Sequence, residues 1–93
     1  MIANEVSENN GRWIVYILQC ADKTLYTGTT TDVKRRVQEH NESKRGAKYT
    51  KARRPVVLRH TEKFRTVNKA LKREAEIKKW TRQEKLKLVL SKI

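Results

Sequence analysis

Cysteine is almost absent from this chain. Cys20 is the only one in 93 residues, so an internal disulfide is excluded, no disulfide partner is expected, and a reducing cytoplasm is the natural setting. Cys20 closes an apolar run and reads as a small core residue rather than a nucleophile. One cysteine and two histidines, far apart in sequence, give no zinc-site spacing. No apolar run is long enough to span a bilayer, and no signal peptide is recognisable, so no membrane partner is expected. Internal repeats, low-complexity tracts and domain linkers are also lacking. Ninety-three residues make one small domain, which buries roughly two-thirds of its unfolded surface. The polar stretch "MIANEVSENNG", residues 1–11, is expected to be a disordered leader ahead of a single domain over 12–93.

Acidic residues are scarce too. There are 10 Asp and Glu against 23 Lys and Arg, a formal net charge of +13. The excess recurs at Lys34-Arg35-Arg36, from Lys44 to Arg54, and from Lys72 to Lys92. Such a field attracts polyanions, and nucleic acid is the leading partner. An acidic membrane surface fits less well, because the basic segments also carry core-forming residues. A solvated basic face without a partner would leave self-repulsion uncompensated.

The elements read as a mixture of strands and helices. "WIVYILQC", residues 13–20, is aromatic and β-branched and predicts a buried strand. "ADKT" is turn-like, and "LYTGT", residues 25–29, predicts the return strand of a hairpin. Thr31 is the expected N-cap of a helix over about residues 32–41, with Asn41 and Ser43 near its end. "SKRGAKYTKARRP" is a basic loop with room for a short helical turn. Pro55 opens a third strand, "VVLRHTEKF", and a helix follows from Thr66 to Lys79. Thr81 with Glu84 forms a capping box for a last helix.

Two helices carry charge where apolar residues belong. On the first, Val33, Arg36, Val37 and His40 share one stripe. On the long helix the stripe is Val67, Ala70, Leu71 and Ile77, with Glu74 in its middle. Glu76 falls on the opposite face, where Lys72 one turn earlier predicts an ordinary exposed pair. A carboxylate facing a sheet must be paired, bind a metal or do chemistry. Glu74 therefore snorkels to the rim, pairs with Arg36 as a structural ion pair, or belongs to a site. The hairpin adds Tyr16 and Tyr26. Both positions are even, so they share a sheet face if the hairpin pairs even with even. An odd loop such as Asp22-Lys23-Thr24, pairing Cys20 with Tyr26, would do this.

The ordered set "IVY" (14–16), "YTG" (26–28), Arg36, His40 and Glu74 in "ALKREAEIKKW" resembles the GIY-YIG nuclease family, in particular its small single-domain UPF0213 branch. The resemblance spans about residues 13–90. It implies an α+β fold, a small three-stranded antiparallel sheet flanked by helices. Tyr16 and Tyr26 match the tyrosines of the two motif halves, and Gly28 matches the closing glycine. Arg36 matches the helix arginine, His40 a position held by histidine or tyrosine, and Glu74 the glutamate that holds a single divalent metal, Mg2+ or Mn2+. Ile14 departs from the usual glycine of the first half, and Thr27 from the usual isoleucine or valine of the second.

The implied activity is metal-dependent hydrolysis of phosphodiester bonds in DNA, in repair or processing. The alternative is a nucleic-acid-binding module of the same fold with little catalysis, and a third reading is an accessory protein docking through its basic face. The chemistry of the set suits the first. A tyrosine takes a proton from water, with either tyrosine eligible. Arg36 offers a planar fork to phosphate oxygens, His40 holds a phosphate or tunes a tyrosine, and Glu74 holds the cation. Lys34, Arg35, Lys44, Arg45, Lys48, Lys51, Arg53 and Arg54 are the expected phosphate contacts.

Overall fold

The structure, a computed structural model, describes residues 13–90. The expected leader over 1–11 lies outside the described residues. Three strands, β1 (Trp13–Gln19), β2 (Leu25–Thr30) and β3 (Val57–Phe64), form an antiparallel sheet in the order β2-β1-β3. Four helices flank it: α1 (Val33–Glu42), the single turn α2 (Lys48–Lys51), α3 (Val67–Lys78) and α4 (Arg82–Leu90). The fold is the α+β arrangement expected.

β1 is the central strand and is covered on both faces, which is why it reads as a continuous apolar run rather than an alternating one. Its odd residues Val15 and Ile17 pack with Ala70, Ile77 and Val89 from α3 and α4. Its even residues Tyr16 and Leu18, with Cys20 just beyond, pack with Val56, Tyr26, Val33 and Val37. Cys20 is thus a core residue, as expected. Each fully buried aliphatic side chain contributes about 1.5–3 kcal/mol, so β1 is the main stabilising strand of the domain.

The hairpin keeps the expected parity but not the expected register. Tyr26 lies opposite Leu18, not Cys20, and Tyr16 lies opposite Gly28. The loop is Ala21-Asp22-Lys23, shifted one residue toward the N-terminus. Two local features account for it. Asp22 accepts hydrogen bonds from the Thr24 amide at 3.1 Å and the Thr24 hydroxyl at 2.6 Å. Lys23 adopts φ 72°, taking without a glycine the left-handed conformation that a three-residue hairpin loop requires. The Cys20 amide then donates to Thr24 O at 2.9 Å.

Helix ends follow side-chain capping. α1 is capped by Asp32 rather than by the expected Thr31, because the Asp32 carboxylate reaches the Arg35 amide at 3.1 Å. Thr66 caps α3. The Thr81–Glu84 box forms reciprocally, with distances of 2.8 and 3.2 Å. On α3 the inward stripe is narrower than expected: Ala70 and Ile77 are buried, Glu74 is largely covered, and Leu71 is 49% exposed. Leu71 is one residue, about 100° of helical rotation, away from Ala70, and that turn carries it off the sheet.

Candidate active site

On the even face of the sheet, α1 presents Val33, Arg36, Val37 and His40 inward. His40 is fully buried and Arg36 is largely covered. Tyr16, also buried, donates its hydroxyl to His40 Nε2 at 2.8 Å. The direction of that bond follows from the other ring nitrogen. His40 Nδ1 lies 2.8 Å from Thr50 Oγ1, and the Thr50 hydroxyl hydrogen is committed to Ala47 O at 2.9 Å. Nδ1 must therefore carry the imidazole hydrogen, which leaves Nε2 as an acceptor. The result is a buried proton wire, Tyr16 to His40 to Thr50 to Ala47 O.

Gly28 makes room for this arrangement. A Cβ at Gly28 would stand 2.6 Å from Tyr16 Cζ, so only a residue without a side chain lets the phenol lie across β2. Burial pushes the Tyr16 phenol up to about 12, with the Tyr26 and Glu74 charges adding to the rise and Arg36 opposing it. Burial, and then the neighbouring Arg36 charge, pull His40 down to about 4, so the imidazole is neutral at pH 7. The Tyr26 ring lies 5.1 Å from the His40 ring and 6.4 Å from that of Tyr16. Both tyrosines therefore share one face with His40.

Arg36 reaches this cluster from α1. Burial lowers its affinity for a proton, but hydrogen bonds to Glu39 and Tyr16 outweigh that and hold it fully charged. One terminal nitrogen donates to Glu39 Oε1 at 2.9 Å and to Arg45 O at 2.8 Å. Glu74 approaches from α3, where it accepts a hydrogen bond from the Thr29 hydroxyl of the edge strand β2. Its other oxygen pairs with Lys78 at 2.6 Å. Arg36 and Glu74 thus have separate partners, and no ion pair joins them among the described residues. Glu76, expected beside Lys72, pairs instead with Arg73 at 2.5 Å, one helical step closer. Arg73 also grips Glu62 with two nitrogens at 2.8 and 3.1 Å, an anchor between α3 and β3 that no helical pattern could reveal.

A cation of the Mg2+ or Mn2+ kind asks for hard oxygen ligands and tolerates a shell completed by water and substrate oxygens. Glu74 supplies one carboxylate at the rim, with a side chain 16% exposed and the Thr29 hydroxyl beside it. No group of three or more His, Cys, Asp or Glu suited to a metal occurs among the described residues. This donor set fits a weak, open site of that water-rich type, provided the half-exposed Lys78 swings aside.

The basic candidates divide. Lys34, Arg35, Lys44, Arg45, Lys48 and Lys51 are exposed. Arg54 is not free in the same way. Its Nε donates to His40 O at 2.5 Å, and a terminal nitrogen donates to Ser43 O at 2.6 Å and Glu39 O at 3.4 Å. It serves the carbonyl end of α1. Arg53 pairs with Asp22 at 3.0 Å and lies 4.0 Å over the ring of Tyr49. Tyr49, absent from the sequence-derived set, stacks on Tyr26 at 6.0 Å. Thr50 and Gly46 were also missed. Gly46 lets the basic loop lie against α1, where a Cβ would meet Glu39 O at 2.8 Å. The only sequence signal for this trio is one short stretch, "GAKYT", that breaks a run of cations.

The sheet thus carries Tyr16, Tyr26 and His40 on one face, while Glu74 of α3 bonds the Thr29 hydroxyl on the edge strand β2. The chain belongs to the GIY-YIG family, whose catalytic domain matches residues 12–87. It is 60% identical over 75 residues to a UPF0213 protein of Syntrophus aciditrophicus, covering 81% of this chain and 86% of that protein. A UPF0213 protein of Staphylococcus haemolyticus is 55% identical over 75 residues, 81% of this chain and 90% of that one. The solution NMR structure of a UPF0213 protein from Bacillus halodurans superposes with a TM-score of 0.56 at 44% identity, over 87% of this chain and 85% of that one. No helix among the described residues is long and apolar enough to cross a membrane.

Proposed function

We propose that this chain is a metal-dependent nuclease that hydrolyses phosphodiester bonds in DNA, with Tyr16 as the proton-accepting residue. The observation that carries the choice of Tyr16 is its 2.8 Å hydrogen bond to an accepting His40 Nε2. A phenol raised to about 12 is a phenolate in only about one molecule in 10^5 at pH 7, so Tyr16 does not act as a preformed base. It acts as a relay. The attacking water gives a proton to the phenolic oxygen as the phenolic proton passes to His40 Nε2. Thr50 holds the imidazole in the one tautomer that can accept it. The hydroxide oxygen bonds to phosphorus, the bond to the leaving oxygen breaks, and that oxygen takes a proton from solvent.

Arg36 turns its guanidinium from Arg45 O to the phosphate, where a planar fork suits two non-bridging oxygens. Once the phosphate screens Arg36, one of the three influences that oppose charge on His40, beside burial and the Arg54 charge, is relieved. Glu74, with the Thr29 hydroxyl, is the residue that would hold a divalent cation, and such a cation supplies Lewis-acid charge to the phosphate. Lys34, Arg35, Lys44, Arg45, Lys48 and Lys51 hold the flanking strand.

A cleavage panel over duplex, nicked, branched and single-stranded DNA, with Mg2+ and Mn2+, tests this. Tyr16→Phe should lower the cleavage rate by about 10²–10⁴-fold, and Tyr26→Phe by much less. Glu74→Gln should abolish metal-dependent cleavage while leaving DNA binding nearly intact. Glu76→Gln, on a 58% exposed side chain, should cleave as the wild type does. A second reading, a binding module with little catalysis, draws on the internal partners that Arg36 and Glu74 already have. It would be favoured by no wild-type cleavage under either metal together with large melting shifts in Arg36→Ala and Glu74→Gln.

A further inference from the structure

Tyr49 stands apart from the rest of the basic loop. It is one of six aromatic-ring residues of the Phe, Trp and Tyr types in the chain, and it is 39% exposed between Lys48 and Lys51, both exposed cations. An isolated surface tyrosine needs no explanation, but this one is built in. Its ring stacks on Tyr26 with an interplanar angle of 29°, and Tyr26 lies against the His40 and Tyr16 rings. On the chain side, Thr50 next to it is fully buried and bonded to His40. The Arg53 guanidinium lies 4.0 Å from the ring centroid. Arg53 is itself held by Asp22 at 3.0 Å and by a bond to Tyr49 O at 2.9 Å. The column Tyr16, Tyr26, Tyr49, Arg53 therefore runs from the buried hydroxyl to the surface and ends in a planar cation.

We propose that the Arg53 guanidinium, carried on the Tyr49 ring, forms a stacking platform for one unpaired nucleobase of the strand whose phosphate lies at Tyr16. An aromatic ring and a guanidinium plane are the two protein surfaces on which bases stack. Their positions are fixed before any ligand arrives, so little ordering remains to be done on binding. The surrounding cations suit a phosphate-bearing strand and not an apolar protein segment. A paired base has both faces covered within the duplex, so a platform of this kind takes a base that is already free of its stack. Stacking of this sort tolerates any base, because every base has a π-face. The proposal rests on the nuclease reading only for the place of the phosphate, and it makes no use of catalysis.

The test is fluorescence anisotropy in EDTA with the full chain and end-labelled DNA of about 12 nucleotides, within the span one small domain covers. The probes are a single strand, the same strand with one abasic residue placed in turn along it, and the matched duplex. Tyr49→Ala and Tyr49→Leu should weaken single-strand binding by about 5- to 150-fold, while Tyr49→Phe binds as the wild type does. Duplex binding should be unchanged in all three. One abasic position should weaken the wild type and Tyr49→Phe but leave Tyr49→Ala unaffected. Tyr49→Leu keeps an apolar cover over Tyr26, so its loss of binding at an unchanged melting temperature separates stacking from structure. Equal losses on single strand and duplex, no loss at all, or the same abasic penalty in wild type and Tyr49→Ala would each overturn the platform. If the abasic coupling holds while the wild type cleaves nothing under Mg2+ or Mn2+, the platform stands and the nuclease reading fails. If the wild type cleaves DNA without that coupling, the reverse is true.

Discussion

The Thr27 hydroxyl on β2 is buried and has no hydrogen-bond partner among the described residues. Thr27 lies opposite Ile17, on the face packed by α3 and α4. A polar group in that position has lost its water without replacement, at a cost of about 1–3 kcal/mol. Valine has the same shape without the hydroxyl. Thr27→Val should therefore raise stability by about 1 kcal/mol, or several degrees in Tm for a domain of this size, as calorimetry would read directly. A lower Tm would mean that the hydroxyl has found a partner. Thr29, two residues on, is the opposite case: its hydroxyl bonds Glu74 and is part of the candidate site. The same strand thus carries a polar group that the fold leaves idle and one that it uses.

At the scale of elements, the basic loop is fastened to α1 by residues that look like nucleic-acid contacts in sequence. Arg54 satisfies carbonyls at the C-terminal end of α1, where a cation also suits the helix dipole. Asn41 adds a two-way clamp, accepting from the Val56 amide at 2.7 Å and donating to Val56 O at 3.1 Å. Arg54→Ala should cost about 2–4 kcal/mol in urea unfolding, since charged hydrogen bonds to buried carbonyls are lost, and should change the salt slope of DNA binding little. Lys51→Ala should do the converse: unchanged unfolding, and a slope of log K against log salt reduced by about 1. Equal slopes for the two variants would mean that Arg54 leaves α1 to contact phosphate.

The molecule as a whole combines a strong positive field with a buried neutral histidine. With +13 formal charges, DNA binding should weaken steeply with added salt, because phosphate contacts release counterions. Binding that is flat between low and physiological salt would contradict a phosphate-directed surface. Stability should also depend on pH through His40, whose ordinary value of 6.5 is lowered to about 4 by burial and by Arg36. The folded form is favoured in full above pH 6.5. Stability falls as pH drops from 6.5 toward 4, because the unfolded chain takes up the proton first. Between pH 7.5 and 5 the loss should be about 2 kcal/mol. The carboxylates held low by hydrogen bonds, Asp22 through Thr24, and Glu39 and Glu62 through Arg36 and Arg73, add their share only below their ordinary values of 3.8 for the aspartate and 4.5 for the glutamates. Urea unfolding at the two pH values, with His40→Gln as the variant that has nothing to titrate there, isolates the effect. An equal drop in both proteins would place the titrating group elsewhere.

What the amino-acid sequence determined by itself was periodic or local. The continuous apolar run of β1, the even parity of Tyr16 and Tyr26, the capping box at Thr81 and the charged residues on two inward stripes all follow from spacing along the chain. Spacing singled out Tyr16, Tyr26, Arg36, His40 and Glu74 but left Glu74 open between an ion pair and a site; the resemblance to a nuclease family gave the set its meaning. What only tertiary structure decided depends on atoms brought together from distant segments. The hairpin slipped by two residues because Asp22 and Lys23 close a particular turn, a choice worth a few hydrogen bonds that parity does not record. Arg54 became a helix cap and Arg53 a lid on Tyr49 because a folded loop, not a stretch of sequence, set which acceptors they met. The tautomer of His40 was fixed by a threonine ten residues away whose hydroxyl hydrogen was already engaged. Charge and periodicity are properties of single elements. Hydrogen-bond direction, burial and stacking belong to pairs of elements and appear only once the chain is folded.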